Sequence, residues 1–289
     1  MKQQSIFTLL IMLLIISAHV LAGVEYKVET TQYKSGSEKT EEVTVEVEGK
    51  NLKMQPEQDP ENTMIYQGEK RQMVVVNHKD KTFSIINKAV IEEMGAKMQA
   101  TVDESMTQVN EALKNLPPDK RAMVEKMMKD KKIPGMPQQT SPAAAEAARR
   151  AMSEYENTGE KSEKNGYPCV KYIVTKEGKK THEHWVTDWK NVEGGEETAA
   201  AFSDMATFFQ EMMDAFASSS GMGAMPFNFD ANMFAGLNSL GGLPIATKDY
   251  ADDGSLESES SLRSAERRDL DPDAFEPPSG YKRQEMFQQ

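Results

Sequence analysis

Histidine is scarce in this sequence, four residues in 289, and two of the four, His182 and His184, sit two apart on a strand-like stretch. Alternate residues of a strand share a face, so both imidazoles point the same way, as a metal-binding pair would. The local sequence supplies no third ligand beyond Asp188 on the same parity, and only His78 remains elsewhere outside the leader. The plainer reading is a pair of imidazoles on a polar strand face. Hydrolytic chemistry lacks its signatures, since neither G-x-S-x-G nor H-E-x-x-H occurs. Asp269, Asp271 and Asp273 alternate like the start of a calcium loop. Ala274 and Gly280 stand at the sixth and twelfth positions, however, and Pro272 stiffens the middle. Cys169 is the single cysteine, which excludes an internal disulfide. With no CxxC partner and no histidine near it in sequence, it reads as a buried structural thiol rather than a nucleophile. No catalytic residue, metal site or cofactor is assigned, and the chain is expected not to be an enzyme.

Methionine is the compositional outlier, with 20 in the chain. Met residues on helical stripes pack cores. Two other roles compete with that one: a Met/Phe surface that repacks around varied apolar partners, and thioethers that hold Cu(I) outside the cytoplasm. Copper-carrying clusters are dense and paired with His, whereas here Met alternates with Phe, so metal binding through Met or His is the distant alternative.

Those side chains need positioning, and composition limits how. There are 46 acidic against 34 basic residues, a net charge of −12, with 38% hydrophobic and 7% aromatic residues. An acidic chain does not displace counterions from phosphates, so nucleic acid is excluded as a partner. The hydrophobic fraction suffices for one modest core plus solvated stretches. Residues 1–22 carry one lysine, an apolar run over 6–18 and small residues near Ala22, the pattern of a cleaved signal peptide. Cleavage leaves 33 basic against 46 acidic residues, with Gly23 first. Val24 stands where a lipobox would need cysteine, so the mature chain is expected unlipidated, without stable membrane insertion, and periplasmic or secreted.

From residue 24 to about 87 the pattern alternates with period two, as half-buried strands do. Val24, Tyr26 and Val28 alternate with Glu25, Lys27 and Glu29, and Val43, Val45 and Val47 with Thr44, Glu46 and Glu48. Short Gly, Asn and Asp loops make the strands antiparallel neighbours. The runs 73–76 and 85–86 are apolar on both faces and need cover on both sides. Strands resume near Glu154, with turns at Asn165-Gly166 and Glu177-Gly178, and a last hairpin spans 245–267 around Asp253-Gly254. All of these are expected in one sheet, the last hairpin extending it.

Between the strand blocks the period becomes helical. Ile91, Met94, Met98, Val102, Met106, Val109, Leu113 and Leu116 recur every three or four residues, ended by Pro117-Pro118. A second helix through Met123, Met127 and Met128 and an alanine-rich one over 143–152 complete a helical insertion at 88–154. A further stripe consists of Phe202, Met205, Phe209, Met212 and Phe216, widened by Phe208 and Met213, within a helix and Met/Phe-rich segment at 196–243. Only Ser203, Asp204, Thr207, Gln210, Glu211 and Asp214 remain for solvent. This helix is expected over the sheet, able to shift and admit an apolar ligand against Phe202, Met205, Phe208, Phe209, Met212 and Phe216. Residues 282–289 read as a loose tail.

The phrases Gly166-Tyr167-Pro168-Cys169-Val170-Lys171-Tyr172, His184-Trp185-Val186-Thr187-Asp188 and Pro277-Pro278-Ser279-Gly280-Tyr281 resemble a secreted bacterial family of unknown function, domain of unknown function 4412. That family is similar in turn to the periplasmic lipoprotein carriers LolA and LolB and to the mycobacterial lipoprotein LppX. The resemblance implies an α+β fold over 23–289. A curved, incompletely closed antiparallel β-sheet, a half-barrel, would be covered on its concave face by Met-rich helices, with an apolar cavity between. It carries no ligand contact onto numbered positions. Two functions follow: a binder of a lipid, acyl chain or lipoprotein, or an envelope structural or interaction protein with no small ligand and an unknown protein partner.

Overall fold

The computed structural model describes residues 22–34, 37–57, 61–114, 117, 120, 153–220, 240–271 and 273–285. The signal segment 1–21, the expected helices near 123–128 and 143–152, and the tract 221–239 lie outside these residues. Twelve strands form one sheet: β1 (Gly23–Lys34), β2 (Ser37–Glu48), β3 (Asn51–Pro56), β4 (Asn62–Gln67), β5 (Gln72–Asn77), β6 (Thr82–Ile86), β7 (Glu154–Lys164), β8 (Tyr167–Lys176), β9 (Lys179–Thr187), β10 (Leu243–Tyr250), β11 (Leu256–Arg268) and β12 (Lys282–Arg283). Helix α1 (Lys88–Lys114) follows β6, and α2 (Gly195–Ser220) follows β9 through a short 3-10 turn.

The strand order is β12-β6-β5-β4-β3-β2-β1-β11-β10-β9-β8-β7, antiparallel throughout except for the β12–β6 pair. The chain therefore builds one meander, leaves for α1, builds a second meander, and then returns. The last hairpin, expected to extend the sheet, instead stands between the two blocks, with β11 on β1 and β10 on β9. Long alternating stretches in β1 and β11 supply the seam, with one bulge beside Val28. The β7–β8 turn uses Asn165 and Gly166 at φ 49° and 83°, the left-handed pair that a two-residue hairpin requires.

The sheet is open, since its edge strands β12 and β7 do not pair, and it is strongly curved. Flat strands about 4.8 Å apart would put β8 roughly 14 Å from β11. Yet Asn165 Nδ2, at the β7–β8 turn, donates to Leu262 O and Ser261 Oγ of β11, both at 2.6 Å.

Apolar side chains cover β4 and β5 on both sides, as their sequences require. On one side the main core joins Val24, Val47, Leu52, Tyr66 and Met73 to Ile91 and Met94 of α1 and Met205, Phe208, Met212 and Phe216 of α2. The helices pack closely on each other: a Cβ at Gly95 would collide with Ser219 Oγ. On the other side, Ile65, Val74 and Val76 are covered by Phe275, with Leu270, Ala274 and Tyr281 around it. Lys282 and Arg283, expected in a loose tail, form β12 on the β6 edge, where Lys282 N donates to Lys81 O and Gln284 N to Phe83 O. Edge strands with free backbone groups recruit a partner, and this segment supplies one from within the chain. Residues 286–289 lie outside the described ones.

Candidate functional site

Helix α2 is held at its first turn and at its middle. Glu196 and Glu197 favour a helix start by opposing the backbone dipole. Glu197 also accepts from Gly49 N at 3.0 Å and pairs with Arg267 of β11. Tyr26 OH donates to Glu193 O at 2.9 Å and lies 2.7 Å from Thr198 Oγ1. Burial pushes the pKa of this phenol up to about 12, so it remains a neutral donor. At mid-helix Tyr66 OH donates to Asp204 Oδ2 at 2.5 Å. Arg71 Nη1 reaches the same oxygen at 3.3 Å, and its Nη2 lies 2.6 Å from Glu211 Oε2. Its guanidinium also stands 5.7 Å from the Phe208 ring centre. Burial, then the bond to Asp204, raises the Tyr66 phenol above its usual range. The bond to Glu211 leads the rise at Arg71.

Asp204 and Glu211, read from the sequence as solvent-facing, are therefore tied to the β4–β5 hairpin. Partners 133 or more residues apart leave no local pattern, and an arginine in a loop is no signal by itself.

The six expected ligand contacts lie together in the main core, but unequally. Met205, Phe208 and Phe216 are completely buried, Met212 and Phe209 nearly so, and Phe202 is half-buried at the border. Beneath them, directly paired residues Val24, Val47, Leu52, Tyr66, Met73 and Ile86 form one row across six strands. All but Ile86 are buried. The next row on this side is Tyr26, Val45, Met54, Met64 and Val75. It is equally apolar, but Val45, Met54 and Val75 are half-buried, and Met64 is 37% exposed, the exposed large hydrophobic among the described residues. The apolar surface thus runs on past the buried cluster. On α1, Met98, Val102 and Met106 are likewise half-buried.

The histidine pair lies further along the same side of the sheet. The row Thr30, Ser260, Thr247, His184, Tyr172 links it by direct register to β1. The two rings stack at 5.6 Å and 14°. His184 Nδ1 meets Thr247 Oγ1 at 2.9 Å, and His182 Nε2 lies 3.6 Å from Asp249, a carboxylate that sequence spacing does not connect with it. Burial, then His182, lowers the His184 pKa to about 4. Asp188, the expected same-parity candidate, instead caps the 3-10 turn through Lys190 N. His78 is occupied by Thr63 and Tyr281. Among the described residues no group of three or more His, Cys, Asp or Glu could hold a metal ion. Cys169 is buried and its thiol pKa is raised by that burial, so it stays protonated. Asp271 closes a local turn by accepting from Asp273 N.

No family model and no curated protein sequence matches the chain. Solved structures with some likeness include an uncharacterized conserved protein from Thermus thermophilus, at 5% identity and TM-score 0.42, covering 91% of this chain and 90% of that one. MucB of Pseudomonas aeruginosa, in complex with MucA, aligns at 9% identity and TM-score 0.35, over 90% of this chain and 57% of its partner in the alignment. A LolA superfamily protein from Nitrosomonas europaea aligns at 9% identity and TM-score 0.28, over 88% and 90%. Overlaps this shallow carry no functional argument. Among the described residues no helix is long and apolar enough to cross a membrane.

Proposed function

We propose that this protein is a non-enzymatic binder of an apolar ligand, a lipid, acyl chain or lipoprotein, acting in the periplasm or after secretion. The observation that carries this reading is the apolar row of half-buried Val45, Met54 and Val75 with exposed Met64, at the border of the core that α2 closes. Four apolar side chains in register on adjacent strands are costly to leave near water, at about 25 cal/mol per Å². An apolar row that runs from the core out to an exposed methionine offers a ligand a surface to cover. In this reading the ligand lies along the row and meets Phe202 at the border. Met205, Phe208, Phe209, Met212 and Phe216 then form the wall behind it. The signal-peptide pattern at 1–22 supports export.

The ties on α2 favour a second reading, an envelope structural or interaction protein whose helices are fixed core. Native mass spectrometry of the mature protein, before and after organic extraction, separates the two. A copurifying mass lost on extraction and regained with added fatty acid is expected. A single bare mass that takes up no fatty acid would leave the second reading in place.

A further inference from the structure

Arg71 closes the four-residue loop between β4 and β5 at φ 47°, where the left-handed conformation favours glycine or asparagine. The same loop faces two ways. Lys70 pairs with Glu276 at 2.6 Å on the outer side, whereas Arg71 reaches Asp204 and Glu211 on α2, seven residues apart and so two turns along one helical face. Tyr66 donates to the same Asp204 from the sheet, and Lys50 Nζ stands 3.9 Å from it. Two helical carboxylates and one arginine thus join the middle of α2 to a single hairpin beside the apolar row.

We infer that Arg71, Tyr66, Asp204 and Glu211 form a latch that sets how readily the middle of α2 lifts from the sheet, and so how fast an apolar ligand enters beside it. This rests on the binding reading given above. The latch suits reversible opening because Arg71, Asp204 and Glu211 are partly exposed, so their ion pairs exchange for water at small net cost, while the buried Tyr66 stays with the sheet and gives up only its bond to Asp204. The completely buried Phe208 and Phe216 have no such exchange open to them. A backbone strained at Arg71 is also relieved, not worsened, when the residue becomes glycine. Arg71→Gly therefore removes the latch without breaking the loop, and Lys70→Ala disturbs the same loop on its other side as a control.

The test couples hydrogen exchange with stopped-flow uptake of a fluorescent fatty acid, on wild type, Arg71→Gly, Asp204→Asn and Lys70→Ala. The expected result is faster exchange over residues 204–216 in the first two variants, with β1 and β2 unchanged and Lys70→Ala like wild type. Uptake should quicken by roughly 1.5- to fivefold, the factor corresponding to loss of one partly exposed pair. Equal uptake and equal exchange in all four proteins would overturn the latch while sparing the binding site. No uptake by any of them would overturn both.

Discussion

Strands β4 and β5 carry apolar side chains on both sides, and the two covers are built differently. The outer cover is the segment from Leu270 to Tyr281, with Phe275 pressed on Ile65, Val74 and Val76. It is held by Gln67 Nε2 donating to Phe275 O at 2.7 Å, in a buried position, and by the residues that follow it, Lys282 and Gln284, whose backbone N–H groups bond to the β6 edge. The inner cover, α2, makes no ladder with the sheet. It is held by ring packing, such as Tyr66 on Phe208 at 5.3 Å, and by side-chain bonds at its first turn and middle. The outer patch is closed by its strap, whereas the inner apolar surface continues to Met64. The opening proposed above belongs to the inner cover, whose ties to the sheet are side-chain ones.

The comparison breaks most directly at the two aromatic plugs. Phe208→Ala should destabilise by about 4–5 kcal/mol and Phe275→Ala by about 3 kcal/mol, the range for a buried phenylalanine. Urea melts measure both. With a fatty acid present, the Phe208→Ala loss should shrink, because ligand fills the space against the inner wall, and the Phe275→Ala loss should not. Equal rescue of both, or of neither, would erase the distinction between the covers.

A second prediction concerns the far half of the sheet, away from both plugs. His184 is held neutral by burial, with His182 and Thr247 beside it and Asp249 facing His182. Its folded pKa of about 4 lies below the ordinary 6.5, so the unfolded chain binds the proton first as pH falls. The stabilisation is complete above pH 6.5 and is lost between 6.5 and 4. Between pH 7 and about 4 the wild type should lose on the order of 2 kcal/mol more than His184→Gln, read from urea midpoints. Parallel pH profiles would mean that His184 is more solvated than its neighbours imply.

Much of the fold is legible because its signals are local. Val24, Tyr26 and Val28 alternate whatever they pair with, Asn165-Gly166 dictates its own turn, and the α2 stripe repeats within one helix. Partner choice is not local. Nothing in residues 245–267 says that they pair between two blocks rather than beyond one, since any half-buried strand fits either seam. Lys282 and Arg283 form too short a strand to show a period, and the outer plug Phe275 sits in a proline-containing stretch without one. The candidate site divides in the same way. The Met/Phe wall follows from spacing, whereas Tyr66, Arg71, Asp204 and Glu211 meet only because the folded sheet brings a hairpin beneath a helix.

The smallest change to the structure tests the central claim. Met64→Glu alters a side chain already 37% exposed, so its stability cost should stay within about 0.5 kcal/mol. Placed in the apolar row, the carboxylate would need desolvation by any acyl chain lying there. Titrating a fluorescent fatty acid into wild type should give saturable binding, and Met64→Glu should weaken it at least tenfold at unchanged melting temperature. Saturable binding of equal strength in both proteins, or none in the wild type, would contradict the account.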